Sequence, residues 1–246
     1  MNEAIDAIAR LRSDIAAATR LLHSEGVLDY SGHIGVRLPD NSGILIQGFK
    51  DSRAELTPDE ILSVDWDGKV IAGRERSRPP SETVIHTAIL RARPDIGAVL
   101  HCHPPCATLF TLVAGAPFLP VKNHAVRWRS GVPEHPDPGH ISSKEQGAAL
   151  AATLGRHNAC LLRAHGAVLV AENARALLID GIHFEENARA LRDALAIGKL
   201  RLLTQAECDM MEGTFRRDHH VSKLWAYYIG RGIKDGVLPE SWRGEL

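Results

Sequence analysis

The sequence predicts a single α/β domain in which a mixed or antiparallel sheet is covered by helices. Three observations predict it. Short apolar runs of strand length alternate with longer stretches whose apolar residues recur at helical spacing. The alternation lacks the strict β-α-β rhythm of a parallel doubly wound sheet. No Ser/Gly- or Pro-rich linker, charge block or internal repeat divides the 246 residues, a length that buries a core without disulfide staples.

Taken in order, Ile5, Ile8, Ala9, Leu11, Ile15, Ala18, Leu21 and Leu22 follow helical spacing, and Gly26 is the stop signal. Strands are predicted over Ile34–Leu38, Gly43–Gln47, Leu62–Trp66 and Val70–Ala72, with Asp67-Gly68 as the hairpin turn between the last two. Ser81–Arg91 reads as a helix, capped by Ser81 and followed by Pro94. Ile96–His101 is a short buried strand running into His101-Cys102-His103; Pro104 and Pro105 close it, and a helix restarts over Cys106–Val113. A helix over Ser143–Leu154 precedes strands at Ala159–Arg163 and Ala167–Ala171. A long amphipathic helix covers 173–197, and a further helical stretch starts near Thr204.

Composition narrows the class. Lys and Arg total 29 against 30 Asp and Glu, for a formal charge of −1, which argues against a nucleic-acid or anionic-membrane partner held by bulk electrostatics. No uncharged apolar run approaches the ~18–20 residues that span a bilayer. The N-terminus is charged throughout, without a signal-peptide apolar core. Cys102, Cys106, Cys160 and Cys208 form no CxxC pair and no dense framework, which fits a reducing cytoplasm. A cytoplasmic enzyme is the class left open.

The chemistry gathers at three places. In His101-Cys102-His103, two histidines at i and i+2 of an extended segment point to one side of a sheet, so both imidazoles reach one ion at ~2.0–2.1 Å. The plainer account is one core and one surface histidine. His165, 62 residues after His103, lies between two apolar β-type runs, where a lone histidine is ordinarily a satisfied core group, but Gly166 after it signals a turn that leaves the ring free to face a cleft. A third imidazole completes the open, three-nitrogen arrangement of catalytic zinc. Pro80-Ser81-Glu82 precedes His86, which lies four residues after Glu82 and so on the same helix face. Glu82 either works beside a metal, as ligand or proton carrier, or is a solvated helix-start carboxylate favoured by the dipole.

Together, Pro80-Ser81-Glu82 with His86, the run Arg93 to Pro105, and the run Leu161 to Ala171 resemble the class II aldolase/adducin family, to which fuculose-phosphate aldolases and ribulose-phosphate 4-epimerases belong. The order of Glu82, His101, His103 and His165, with 19 residues from Glu82 to His101, fits the pattern, and the likeness runs to about residue 200. The resemblance implies a single three-layer α/β/α domain with a central, mainly antiparallel sheet. Residues 1–205 would be the catalytic domain, and 206–246 a C-terminal helical extension packed on the body or on a neighbouring subunit. It implies His101, His103 and His165 as ligands of one divalent ion per chain, zinc first, with manganese, cobalt and iron as alternatives. Glu82 would be the acid/base and an additional ligand. Homotetramers with active sites between neighbouring subunits are also implied, and His124, which with Lys122, Asn123 and Arg127 follows the apolar stretch Ala114–Val121, would either enter a neighbour's site or be an ordinary surface residue.

Three departures bear on substrate. Phosphosugar enzymes of the family carry GN-x-S-x-R, T-x-SG and SSE segments that hold phosphate. Here the first reads Gly32-His33-Ile34-Gly35-Val36-Arg37, the second is replaced by Gln47 to Arg53, and the third keeps only Ser81 before Glu82. A phosphate dianion needs several converging donors, so a phosphosugar is disfavoured. The GH-x-x-V-R segment instead looks like the decarboxylase branch, whose members remove CO2 from hydroxylated pyridine or benzene dicarboxylates.

The leading expectation is therefore a metal-dependent lyase that decarboxylates a small hydroxylated aromatic or heteroaromatic acid through a metal-stabilised, enolate-like intermediate. Glu82 and His33 would handle the proton. Arg37 would pair with a second substrate carboxylate or is an outward strand arginine, and Ser81 remains as a substrate contact. An aldolase or epimerase is the second expectation, and a non-enzymatic adducin-like module the third. Segment 133–140 reads as a solvated loop or lid, Cys102 as core, and His183, Glu185, Glu186 and Arg189 as a solvated helix face with one cleft residue.

Overall fold

The structure, a computed structural model, describes residues 2–244. Seven apolar-rich runs and the two-residue β6 build one eight-stranded sheet: β1 (His33–Arg37), β2 (Gly43–Gln47), β3 (Ile61–Asp65), β4 (Val70–Ala72), β5 (Ala98–Cys102), β6 (Glu134–His135), β7 (Ala159–Leu162) and β8 (Gly166–Ala171). Their order is β4-β3-β2-β1-β5-β8-β7-β6, and every pairing is antiparallel except β6 with β7. The helices are α1 (Asn2–Ser24), α2 (Thr83–Ala92), α3 (Pro105–Leu109), α4 (Lys144–Leu154), α5 (Ala174–Ile197), α6 (Gln205–Thr214) and α7 (Arg217–Lys234).

Both sheet faces are covered, which makes three layers. Because strand side chains alternate, Ile34, Val36, Leu100, Cys102 and Leu169 face one core with Ile15 and Leu22 of α1 and Leu177 and Phe184 of α5. Ile44, Ile46, Val99, Val168 and Val170 face the other, with Ile85 and Ile89 of α2 and Leu150 and Leu154 of α4. Each fully buried Leu or Ile contributes about 1.5–3 kcal/mol, and β5, in the middle of the sheet, is buried along its whole length. The C-terminal segment packs on its own chain: Val221, Trp225, Tyr228, Ile229 and Ile233 of α7 join the first core. Arg217 anchors the start of α7 by bonding Asp180 at 2.7 Å and Glu172 at 2.7 Å. All four cysteines are free and buried. Among the described residues no helix is long and apolar enough to cross a membrane.

Local departures from the sequence reading have identifiable causes. Ser81 does not cap α2: the backbone N–H and hydroxyl of Thr83 both bond Pro80 O (3.1 and 2.6 Å), so the helix begins two residues later, with Glu82 at the capping position and no side-chain cap bond. α3 stops at Leu109 rather than Val113, because Phe110 and Thr111 bond three residues back and tighten the last turn. Segment 133–140 holds β6, a two-residue edge strand flanked by Pro133 and Pro136, where edge geometry tolerates proline.

Candidate metal centre

Sheet register places the first two histidines. His101 pairs with His33 of β1 on one side and Val168 of β8 on the other, and its fully buried ring faces the layer of α2. Cys102 turns into the opposite core, and His103, just past the end of β5, returns to the side of His101. His165 sits in the turn between β7 and β8, where its N–H bonds Leu162 O at 3.0 Å. Gly166 was expected to make that turn, but the left-handed residue is Ala164, at φ +55°. Gly166 serves close approach instead: a Cβ there would lie 2.4 Å from Cys102 O and 2.7 Å from the His103 ring.

The three imidazoles converge. His101 Nε2 and His103 Nε2 are 3.2 Å apart, and the ring of His165 lies 5.0 and 5.2 Å from theirs. His101 Nδ1 bonds Ala167 O at 3.1 Å and His103 Nδ1 bonds Asp29 Oδ2 at 2.9 Å. A carbonyl and a carboxylate only accept, so both Nδ1 atoms carry hydrogen and both Nε2 atoms present lone pairs to one another. Facing lone pairs repel unless a cation lies between them, and two ligands at ~2.0–2.1 Å from a tetrahedral ion sit roughly 3.3 Å apart. With one ligand atom from each of His101, His103 and His165 within 4.8 Å of the others, the donor set fits one divalent ion. Burial, then the neighbouring His101, lowers His103 and brings His165 down to about 4, which keeps both in the ligating, neutral form.

Glu82 completes the centre. Its Oε2 is 3.3 Å from His101 Nε2, and its Oε1 accepts from Ile141 N at 3.2 Å and lies 3.7 Å from His165 Nε2. Burial works to raise this carboxyl, but its contacts with His101, the Ile141 N–H and His165 outweigh it and bring it to about 2. It is an ionised carboxylate, 6% exposed, at the edge of the imidazole cluster. The arrangement suits a cation-bound oxygen substrate with a base alongside.

His33 stands behind His101, with ring centroids 5.2 Å apart, and its Nδ1 is 2.7 Å from His86 Nε2. Gly35 makes this pair possible, since a Cβ there would lie 2.5 Å from His86 Nδ1. Burial pushes His33 well below its ordinary value and His86 to about 3, so the pair is neutral.

Of the other expected site residues, Ser81 is at the rim, bonded through Oγ to His140 Nε2 at 2.9 Å. Arg37 is a correction. It lies at the far end of β1 from His33, and its guanidinium donates to Asn41 Oδ1 at 2.8 Å and to the carbonyls of Leu90, Arg93 and Ile96 at the end of α2, which leaves no fork for a substrate carboxylate at this centre. His124 is not brought to Glu82 within the chain; it stacks on His183 at 4.1 Å. Glu185, expected on a solvated face, is buried and accepts from the N–H groups of Cys106 and Ala107 at the start of α3.

Two residues escaped the sequence reading. His140, in the proline-rich segment 133–140, has Nδ1 3.2 Å from Glu82 Oε1 while Nε2 meets Ser81. Asp29 orients His103, and the N–H groups of Ser31 (2.8 Å) and Gly32 (3.2 Å) hold its carboxylate. Such a carboxylate fixes the tautomer and basicity of a ligand histidine. Asp29→Asn is therefore expected to weaken metal affinity about 10–100-fold with an unchanged circular dichroism spectrum. Competition against a chelator of known affinity checks this, and wild-type affinity would remove Asp29 from the centre.

Comparison with known proteins adds an independent line. The profile of the class II aldolase and adducin N-terminal domain matches residues 13–191. A 3,4-dihydroxyphthalate decarboxylase of Arthrobacter keyseri is 29% identical over 240 residues, covering 91% of this chain and 94% of its own. A 5-methylthioribulose-1-phosphate/5-deoxyribulose-1-phosphate aldolase of Rhodospirillum rubrum is 30% identical over 190 residues, covering 76% and 81%. Among solved structures, an aldolase II superfamily protein from Pseudomonas syringae superposes with a TM-score of 0.79 at 24% identity, covering 93% of this chain and 94% of that one.

Proposed function

The chain belongs to the class II aldolase and adducin family, and we propose that within it the protein is a metal-dependent carbon–carbon lyase that decarboxylates a small, non-phosphorylated, hydroxylated aromatic or heteroaromatic carboxylate. The observation that carries this reading is the ionised Glu82 carboxylate held 3.3 Å from one of three convergent imidazoles. His101, His103 and His165 would hold the ion. When bound, it supplies a Lewis acid that draws electron density from a chelated substrate oxygen as the carbon–carbon bond breaks.

The chain's own residues do the rest. Glu82 Oε1 is fixed by Ile141 N–H, which leaves Oε2 toward the cluster to take the proton of the substrate hydroxyl and return it to the carbon that lost CO2. His140 braces Glu82 from the solvent side. The neutral His33–His86 pair backs His101 without adding charge behind the ion. A homotetramer with sites between neighbouring subunits belongs to the same reading; exposed Leu112 and Val113, beside Thr111 that accepts from Ala164 N, offer apolar surface for a second copy.

Two observations support the substrate class. The Arthrobacter keyseri relative, named for a dihydroxyphthalate, aligns over nearly the whole of both chains. In the Gln47 to Arg53 segment, where phosphosugar enzymes of the family carry a phosphate loop, the Gly48 N–H and the Arg53 guanidinium are already committed. Gly48 N–H and Arg74 bond Asp51, while Arg53 donates to Gly32 O, Ser31 O and Asp51 O. The Rhodospirillum rubrum relative favours a second reading, an aldolase on a hydroxy-carbonyl compound. Metal-loaded protein offered hydroxylated benzene and pyridine dicarboxylates should release CO2. Aldehyde release from hydroxy-carbonyl donors, with no CO2 from any dicarboxylate, would transfer the assignment to aldol cleavage.

A further inference from the structure

A second group of described side chains also has metal-ligand composition. His124 stands on the 3-10 helix Asn123–Trp128, and His183 and Glu186 lie three residues apart on α5, hence on one helix face. One ligand atom from each lies within 4.8 Å of the others. His124 Nε2 is buried without a hydrogen-bond partner, and Glu186 Oε2 is 3.7 Å away. That distance is too long for a hydrogen bond. It suits two donors that share one ion at about 2.0–2.2 Å each. His220 of α7, its ring 5.6 Å from that of His183, likewise has a buried, unpartnered Nε2.

From this geometry we propose that His124, His183 and Glu186 form a second site for a divalent transition-metal ion, separate from the centre at Glu82, which ties the 3-10 helix to α5. Two imidazoles and one carboxylate select Zn2+, Co2+ or Ni2+ over Mg2+ or Ca2+. The imidazoles are in the ligating form: burial, then His124 and His220, pushes His183 down to about 3, and burial with Lys122 lowers His124. The surrounding charges do not oppose the ion strongly. Arg127 and Arg217 are paired with Asp180 and Glu172. Lys122 Nζ, 3.3 Å from Glu186 Oε2, is the cation now in place, and its flexible stem lets it swing into water.

The rings of His124 and His183 lie face to face, 4.1 Å apart and 16° from parallel. Parallel rings cannot aim two lone pairs at one point, so uptake turns one imidazole about its Cβ–Cγ bond. A cavity of about 460 Å³ beside both rings, walled by Val126, Ile179 and Phe215, gives room for the turn.

The test is a metal count on full-length protein, stripped of metal, equilibrated with excess Co2+ and freed of loose ion by gel filtration. Wild type should retain two ions per chain. His183→Asn and Glu186→Gln should each retain one, as should His101→Ala, which empties the other centre. Glu186 is surface-accessible, so its glutamine variant guards against a folding failure in His183→Asn. One ion in wild type, lost in His101→Ala and unchanged in both α5 variants, would overturn the second site alone. One ion lost only in the α5 variants would keep it and overturn the metal centre at Glu82.

Discussion

Glu82→Gln should leave the three-histidine site able to hold its metal, and the fold intact, while turnover falls roughly 10³-fold. The amide is nearly isosteric, and its oxygen still accepts from Ile141 N–H, as Glu82 Oε1 does at 3.2 Å. What it loses is the capacity to hold a proton. The carboxylate sits ionised at about 2 because His101 and the Ile141 N–H outweigh the effect of burial, and a neutral amide has no corresponding charge to offer. Three imidazoles remain to bind the ion, so metal content separates loss of a base from loss of a ligand. Steady-state rates beside metal analysis check the prediction. A variant within tenfold of wild type would show that the proton passes through another group, and an apo variant would make Glu82 chiefly a ligand.

His101→Ala should abolish turnover and empty this centre. His101 is the ring on which the others lean: His33, His103 and His165 all have ring centroids within 5.2 Å of it. Removal takes away one of three ligands and also leaves Ala167 O and His103 Nε2 without their neighbour. Because the side chain is fully buried, a stability cost of about 2–4 kcal/mol accompanies the cavity and the lost bond. Metal analysis and thermal melting measure the two effects separately. His103→Ala, at a partly exposed position, should lose metal with a smaller drop in melting temperature. Metal retained at this centre in both variants would remove the histidine pair from it.

Much of the architecture was legible because it is written in local periodicity. β2 and β4 match their expected bounds, and α5 begins one residue from expectation because Asn173 caps it through Ala176 N–H. Asp67-Gly68 does turn β3 into β4, with Gly68 at φ +82°. The failures lie where a contact distant in sequence decides a local outcome. β6 has two residues and no pattern of its own; it exists because β7 lies beside it. Arg37 looked available for substrate because nothing nearby in sequence shows that the carbonyls ending α2 surround it.

The candidate site divides in the same way. His101, His103, His165 and Glu82 could be singled out from spacing and motif, and the structure brings them together. Their supports could not. Asp29 meets a histidine 74 positions away, and His140 meets a glutamate more than fifty positions earlier in a stretch whose prolines read as plain loop. His86 shares a helix face with Glu82 by spacing, but its partnership with His33 depends on the bare Cα of Gly35.

The placement of Cys102 between two imidazoles has a consequence for folding errors. If β5 slipped by a single residue against β1 and β8, every side chain on it would change faces. Two imidazoles would then enter the hydrocarbon between the sheet and α5, and a thiol would arrive among the remaining polar groups. The misaligned strand would strand both rings without partners in an apolar interior, a heavy penalty. The same two imidazoles that converge at the candidate centre thus act as a proofreading device for the alignment of the sheet that holds them.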